Sequence, residues 1–208
     1  MQLGGRAARV VVALAGLAPF AAILNDFVHD ELGPDPVEAL THRTGAWALR
    51  LLVLCLCVTP ARRLLGWHGL APHRRTLGLL ACFYACLHFV TYVVLEIELD
   101  PALLYESVSE RPFVTVGLAS LLAMLPLAAT STRRAIRRLG ASWVRLHRLA
   151  YAALVLAVLH FAWGVKADLR EPLVYAGATA ILLGLRLYGW SGRKRRRYAN
   201  LRRSPEIN

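Results

Sequence analysis

The sequence predicts an all-α integral membrane protein, a bundle of six transmembrane helices. Apolar residues make up 57% of its 208 residues and charged residues 18%, against about 45–50% and about 25% in a soluble domain. The charges are clustered, and between the clusters lie six runs with hardly any charge, close to the length that crosses a hydrocarbon core. Backbone amides in lipid must be paired within the segment, so these runs form helices; barrel strands would alternate apolar and polar residues.

The apolar runs are, in order, about residues 8–24, 46–59, 77–95, 113–130, 146–165 and 173–190. The first follows Arg6 and Arg9 and therefore has a second interpretation, a secretory signal peptide. It is long for such a peptide and lacks a convincing small-x-small cleavage site, and its removal would leave the orientation of the other helices unchanged. The loops are too short to form a second domain, so we expect one domain over 1–208 that ends in a basic tail, 191–208.

Basic and acidic residues alternate from loop to loop, and this alternation predicts the orientation. Twelve of the thirteen acidic residues fall on one side of the predicted membrane, and most arginines on the other. The arginine-rich side is cytoplasmic by the positive-inside rule, so both termini are cytoplasmic. The net charge of +12 thus indicates topology and not nucleic-acid binding. The arginines of the tail are typical of a lipid-headgroup anchor, with a soluble acidic partner as the alternative.

Cysteines and histidines are the residues in the apolar runs that carry chemistry. Cys55, Cys57, Cys82 and Cys86 form no C-x-x-C or C-x-x-C-H motif, and we interpret them as small buried hydrophobes. Three histidines lie in or at the edge of the bilayer: His88, His147 and His160. An ionisable side chain at that depth has a partner and a purpose by default. A hydrogen bond to a neighbouring helix is the simplest alternative.

His88 and His160 lie at similar depths in the outer half of the membrane. His88 is about 16 Å along the outward third helix, and His160 lies a similar distance along the outward fifth, at about 1.5 Å per residue. Imidazoles that face each other across a bundle can provide both axial ligands of a b-type haem. His147 lies about 20 Å below His160 on the same helix, a separation that suits a second, inner haem.

The two histidines of the fifth helix are not aligned on an ideal helix, because their spacing leaves them about 140° apart. A local irregularity would correct this, or the two could serve different neighbours. Zinc is a weaker alternative, because its structural sites need four compact ligands. A proton relay is another, although transporters usually add intramembrane acidic residues, and no acidic residue lies within these helices.

Residues 139–160, LGASWVRLHRLAYAALVLAVLH, resemble the motif L-G-x-x-W-x-x-L-H-x-x-x-Y and its following histidine in the MsrQ (YedZ) family. These are the haem-binding membrane subunits of periplasmic methionine sulfoxide reductase systems, within the ferric-reductase-like transmembrane group. Other stretches resemble the family in order and spacing: GPDPVEALTHRTGAWAL, VTPARRLLG, RRTLGLLACFYACLHFVTY, RPFVTVGL and EPLVYAG. The resemblance covers nearly the whole chain.

The resemblance implies an electron carrier of the bacterial inner membrane. Electrons would come from the quinone pool or a flavin and pass through haem b to a periplasmic, molybdopterin-dependent methionine sulfoxide reductase, which repairs oxidised proteins and carries the catalytic site. FMN is also implied, although no phosphate-cradling glycine loop shows where it binds. The alternatives are an electron-transfer subunit for another acceptor and a non-redox membrane transporter that relays protons.

The resemblance maps the family's membrane histidines onto His88, His147 and His160. Relatives with two full haems carry two histidines on the third helix as well, but the position fourteen before His88 is Arg74. The usual inner partner of His147 is therefore missing, with His68 or His73 as nearby substitutes. We expect one haem, held by His88 and His160, and leave a second at His147 open.

Two arginines and one further histidine are secondary candidates. Arg50, about one turn into the second helix, and Arg74 could each pair with a haem propionate, and Arg50 also with a quinone carbonyl, because guanidinium is a fixed fork of donors. Snorkelling of Arg50 to the interface and a loop-orienting role for Arg74 are the alternatives. His42, in THRTG near the outer surface, is a candidate contact for quinone or a partner protein, or an ordinary helix-start histidine.

Overall fold

The computed structural model describes residues 5–165 and 168–203, the last part from residue 189 by its backbone alone. Helices make up all the regular secondary structure in these residues, which confirms the all-α class. They are α1 (Arg6–Val28), α2 (Pro36–Leu64), α3 (His73–Thr91), α4 (Pro101–Glu110), α5 (Pro112–Ala129), α6 (Arg133–Leu139), α7 (Ala141–Leu146), α8 (Leu149–Gly164) and α9 (Arg170–Arg203). A 3-10 turn, His68–Leu70, precedes α3, and a π-helical turn, Tyr92–Glu96, continues it.

Five segments of the described chain are long and apolar enough to cross a membrane: Arg6–Val28, Pro36–Leu64, His73–Glu96, Pro112–Ala129 and Ala141–Gly164. They contain the first five predicted runs, apart from the last residue of each of the runs 113–130 and 146–165. The sixth run, 173–190, lies in α9, whose last side chains are outside the described part. The predicted basic tail, 191–208, is described only as the backbone of α9 to residue 203, and its remaining residues lie outside the described part. The structure thus establishes a multi-pass helical membrane protein.

Two helices begin where the charge-free runs do not predict a start, because polar caps set these ends. α2 begins ten residues before its apolar run: Asp35 accepts a hydrogen bond from the Glu38 backbone N–H at 2.9 Å, and proline occupies the first helical position. The short helix α4 begins in the same way, with Asp100 accepting from the Ala102 N–H at 2.7 Å. Both are standard N-terminal signals.

The predicted fifth run is not one continuous helix. α7 ends at Leu146 and α8 begins at Leu149, so His147 lies at a break. The Arg148 N–H bonds to the Arg145 carbonyl, and the Tyr151 N–H to the Arg148 carbonyl, both tighter than an α-helical step. The expectation of a regular helix from Leu146 is therefore wrong at its inner end, and a local irregularity does lie between the two histidines.

Two helix pairs form the centre of the bundle. α2 packs along α3, and α5 packs along α8. The fully buried core side chains Leu56, Tyr84 and Leu154 lie where the pairs meet. The Ser120 hydroxyl on α5 donates to the Ala153 carbonyl on α8 at 2.9 Å, a polar link of the kind that helps to hold helices together in lipid. α1 packs on α2 and α3, and α9 on α2 and α8.

Tyr84 repairs a gap in the hydrogen-bond ladder of α1. Pro19 lies inside that helix, and an internal proline removes one backbone bond and pushes the preceding turn open. The Tyr84 hydroxyl donates to the Gly16 carbonyl at 2.9 Å and accepts from the Phe20 N–H at 2.9 Å. These two backbone groups would pair with each other in a regular helix. The hydroxyl therefore bridges them and attaches α1 to α3.

Replacing Tyr84 by phenylalanine should leave both backbone groups without this partner in an apolar environment. A buried unsatisfied polar group costs about 1–3 kcal/mol, so we expect the Tyr84→Phe protein in detergent to unfold at a lower temperature than wild type. Tyr105→Phe is the matched control, because Tyr105 is 77% exposed. Equal melting temperatures for Tyr84→Phe and wild type would contradict the bridging role.

Candidate functional site

His88 and His160 face each other between the two helix pairs. His88 comes from α3 and His160 from α8, and their ring centroids are 5.9 Å apart, with an angle of 74° between the ring planes. The structure therefore brings together the two histidines whose similar depth predicted a pair. No acidic side chain forms an ion pair with either ring among the described residues.

A carbonyl of α2 orients His88. Its Nδ1 donates a hydrogen bond to the Thr41 carbonyl at 2.8 Å. Gly45, one turn further along α2, lies directly against the ring: a Cβ built there would be 3.0 Å from Nδ1. With the proton on Nδ1, the other nitrogen, Nε2, carries the lone pair that a metal ion needs.

A carbonyl of α5 orients His160 in the same manner. Its Nδ1 donates to the Phe113 carbonyl at 2.7 Å, and a Cβ built on Gly117, one turn further along, would lie 2.6 Å from Nδ1. The Phe113 ring also stacks on the imidazole, with centroids 6.0 Å apart and planes at 30°. The Nε2 of His160 therefore carries the lone pair as well.

A cavity of about 310 Å³ contains both imidazoles. Its deep part is apolar, with Leu49, Leu52, Leu121 and Met124 among its walls. Its rim, at the end of the bundle that carries the acidic loops, is lined by charged residues: Glu38, Glu96, Arg111 and Glu171. An apolar pocket with a few convergent polar groups is the usual form of a cofactor site.

His147 lies apart from this cavity. Its ring stacks on Trp143, with centroids 3.8 Å apart, and its Nδ1 lies 3.1 Å from the Trp143 carbonyl. Its Nε2 is buried, and the Leu127 backbone lies close enough to interact with the ring. Arg74 is close enough to interact electrostatically with it and also donates to the Thr59 hydroxyl at 3.2 Å.

The suggested substitutes for an inner ligand differ in burial. His73, at the start of α3, is buried, whereas His68, in the 3-10 turn, is exposed. The four cysteines are free thiols, and the Cys55 thiol donates to the Arg74 carbonyl at 3.2 Å. Among the described residues, no group of three or more His, Cys, Asp or Glu side chains is placed to hold a metal ion.

Arg50 reaches the cavity through Tyr175. Its Nε donates to the Tyr175 hydroxyl at 3.3 Å, and its guanidinium carbon lies 5.2 Å from the centroid of the Trp47 ring. Tyr175, on α9, lines the cavity, whereas Arg50 does not. His42 also lines the cavity near the rim and contacts Phe161 edge to face at 6.0 Å.

Several site residues have no signal in a charge or hydropathy pattern. The carbonyls of Thr41 and Phe113 belong to the backbone, and Gly45 and Gly117 contribute by lacking a side chain. In the sequence, Arg111, which lies at the rim, cannot be distinguished from an ordinary charged loop residue. The one signal in the sequence is that the two histidines share a spacing: each follows a glycine by 43 residues, and each glycine follows the carbonyl residue by four.

Comparison with known proteins identifies the family to which the fold belongs. Residues 44–158 match the family described as the ferric reductase like transmembrane component. This match, over more than half of the chain, defines a ferric-reductase-like membrane protein. No solved structure matches the chain.

Curated relatives define the family more narrowly. The Protein-methionine-sulfoxide reductase heme-binding subunit MsrQ of Xanthomonas axonopodis pv. citri (strain 306) is 46% identical over 188 residues, covering 88% of this chain and 86% of the relative. MsrQ of Rhodospirillum rubrum is 45% identical, covering 88% of each chain. MsrQ of Xanthomonas euvesicatoria pv. vesicatoria is 44% identical, covering 96% of this chain and 93% of the relative. The chain belongs to the MsrQ family.

Proposed function

We propose that this protein is the haem-binding, electron-transfer subunit of a protein-methionine-sulfoxide reductase system, and that His88 and His160 are the axial ligands of a b-type haem. The observation that carries the proposal is the pair of facing imidazoles, each with its Nδ1 bonded to a helix carbonyl. The relatives' names, which specify a heme-binding subunit of that reductase, support the haem-binding and reductase parts of the proposal.

The spacing of the rings fits a metal ion between them. An imidazole–metal bond is about 2 Å long, and the ring centre lies about 1 Å beyond the ligating nitrogen, so two opposed ligands have centroids about 6 Å apart. The observed separation is 5.9 Å. The residues present therefore suit a centre held by two histidines, and the apolar walls around Leu49 and Leu121 would suit the apolar body of a haem.

Each part of the site has a distinct task. The carbonyls of Thr41 and Phe113 fix the tautomer and plane of the two imidazoles and increase their basicity, as outer hydrogen bonds to metal-bound histidines do. The apolar walls exclude water. Arg111, at the rim, can pair with a carboxylate of the cofactor. Bound haem would supply a one-electron iron couple whose potential depends on these ligands and their surroundings.

We place the electron route across the bundle from the cytoplasmic or membrane side to the periplasm. The donor would be the quinone pool or a flavin such as FMN, and the acceptor a periplasmic molybdopterin-dependent catalytic subunit. The resemblance supports these identities, and the position of the cavity rim at the acidic, outer end of the bundle supports the direction. The sulfoxide chemistry itself would occur on the acceptor, in the periplasm. This chain would lie in the bacterial inner membrane.

His147, Arg74 and Arg50 complete the proposal. The burial of the His147 Nε2 and the family resemblance support an inner haem at this residue. Arg74 occupies the neighbourhood in which a second axial ligand would be expected. Arg50 would act on the outer cofactor or a quinone through the Tyr175 hydroxyl.

Loss of the axial histidines should remove the haem. His88→Ala and His160→Ala should each abolish the outer low-spin haem. The loss should be seen in the sharp α and β bands that this haem contributes to the spectrum of the reduced protein. His147→Ala should lower the haem-to-protein ratio by about half and leave the outer bands unchanged, if each site binds one haem. Absorption spectra and haem assays of purified protein check both effects.

His29→Ala is the matched control, because that histidine is exposed and bonds only within its own turn at Asn25. Its spectrum should equal that of the wild type. A wild-type protein that takes up no haem would refute the proposed function. A haem-to-protein ratio that His147→Ala leaves unchanged would refute only the proposed inner haem. Electron transfer to other periplasmic acceptors, but not to the reductase, would favour the alternative subunit role.

We further propose that 1–208 forms a single ferric-reductase-like domain with six spans and both termini in the cytoplasm, and that this domain ends in a lipid-anchoring tail at 191–208. The arginine clusters of the inner loops support this orientation. A fluorescent protein fused to the C-terminus should fluoresce, and alkaline phosphatase fused there should be inactive, because it matures only in the periplasm. Active phosphatase at this end would contradict the six-span topology.

A further inference from the structure

We infer that Gly45 and Gly117 are positioning residues of the haem centre: the absent side chain at each glycine lets an imidazole reach the helix carbonyl that orients it. This inference rests on the proposed haem function. It concerns two residues that never touch the iron and that act through His88 and His160.

The two histidines are held by equivalent arrangements. In each, the histidine lies 47 residues after the carbonyl that accepts its Nδ1 proton, and the glycine lies one helical turn after that carbonyl. Thr41, Gly45 and His88 are thus matched, at one constant shift along the chain, by a second set: Phe113, Gly117 and His160. The helix pairs α2–α3 and α5–α8 present the same device twice, from opposite sides of the cavity.

Helix geometry relates each glycine to the carbonyl one turn before it. A backbone carbonyl points along the helix toward the residue four positions later, and the side chain of that later residue leans back over the same turn. At the carbonyls of Thr41 and Phe113, the approaching imidazole occupies the space that a Cβ on this later residue would take.

The distances show how little room there is. A Cβ at Gly117 would lie 2.6 Å from Nδ1 and 2.8 Å from Cε1 of His160, and one at Gly45 would lie 3.0 and 3.1 Å from the same atoms of His88. These atoms belong to a ring held by its hydrogen bond, so the ring itself would have to move. The displacement should be larger at Gly117.

Neither glycine is explained by its backbone conformation. Both lie inside helices, and neither has a positive φ, so alanine would be the more stable choice by about 0.5–1 kcal/mol. Gly177 and Gly184, on α9, have no atom within 4 Å of a built Cβ. The close approach to an imidazole thus distinguishes Gly45 and Gly117 from other membrane glycines.

The test compares Gly45→Ala and Gly117→Ala with the control Gly177→Ala, all in the full-length protein purified in detergent. We measure haem per protein, the electron paramagnetic resonance spectrum of the ferric form, and the size-exclusion profile. Gly177→Ala should match the wild type. Gly45→Ala should fold and show an altered low-spin signal. Gly117→Ala should lose more haem, because its haem affinity should fall by about 10–100-fold, as is typical of altered outer contacts.

The outcomes separate the inference from the proposed function. If the wild type binds haem through both histidines but both alanine variants keep its haem content and low-spin signal, the inference is wrong and the function stands. If the wild type binds no haem, both fail. Should Gly117→Ala aggregate, the milder Gly45→Ala decides: an unchanged signal overturns the inference, and an altered signal in a monodisperse protein supports it.

Discussion

The hydrogen bond from each imidazole to a carbonyl of the neighbouring helix is the interaction on which the site depends. It satisfies one ring nitrogen in a region without water, where an unsatisfied polar group is costly, and it leaves the opposite nitrogen available as a ligand. Because the acceptor is a backbone atom, the bond also fixes the register of α3 against α2 and of α8 against α5. The buried core around Leu56, Tyr84 and Leu154 then holds the two pairs at the separation that brings the rings together.

The same requirement for internal satisfaction explains other polar groups in the bundle. The Tyr84 hydroxyl occupies the gap that Pro19 opens in α1, and the Ser120 hydroxyl links α5 to α8. Arg50 combines a tyrosine hydroxyl with the face of Trp47, as a cation does when no acidic partner is available. The His147 imidazole also lies among backbone groups, those of Trp143 and Leu127, and its burial is consistent with its place as a candidate ligand.

Charge clustering and apolar run length were enough to predict the helical membrane fold, and helical rise was enough to pair His88 with His160. Both predictions rest on distances along the chain, which a regular helix converts directly into depth. The break at His147 could not be predicted, because no proline or glycine marks it and i→i+3 bonds replace the α-helical pattern. Helix α4 went unpredicted because a run-length criterion does not detect a short capped helix between loops.

The orienting groups at the site lay outside sequence reasoning for a different reason. Carbonyls are the same in every residue, and only the packing of α2 on α3 and of α5 on α8 selects those of Thr41 and Phe113. Gly45 and Gly117 matter through the atoms that they lack. The roles of these carbonyls and glycines can be recognised only when the neighbouring helix is in place. The histidines can be recognised from sequence, because they are polar residues in an apolar run.

The angle between the imidazole planes, 74°, allows the most direct test of the central claim, that His88 and His160 are the two ligands of one haem. Ligand planes that are nearly perpendicular leave the iron orbitals close in energy, so the ferric protein should give a strongly anisotropic low-spin paramagnetic resonance signal. That signal should disappear in both His88→Ala and His160→Ala. Absence of this signal from the wild type, or the rhombic low-spin signal of parallel ligand planes in its place, would contradict the account.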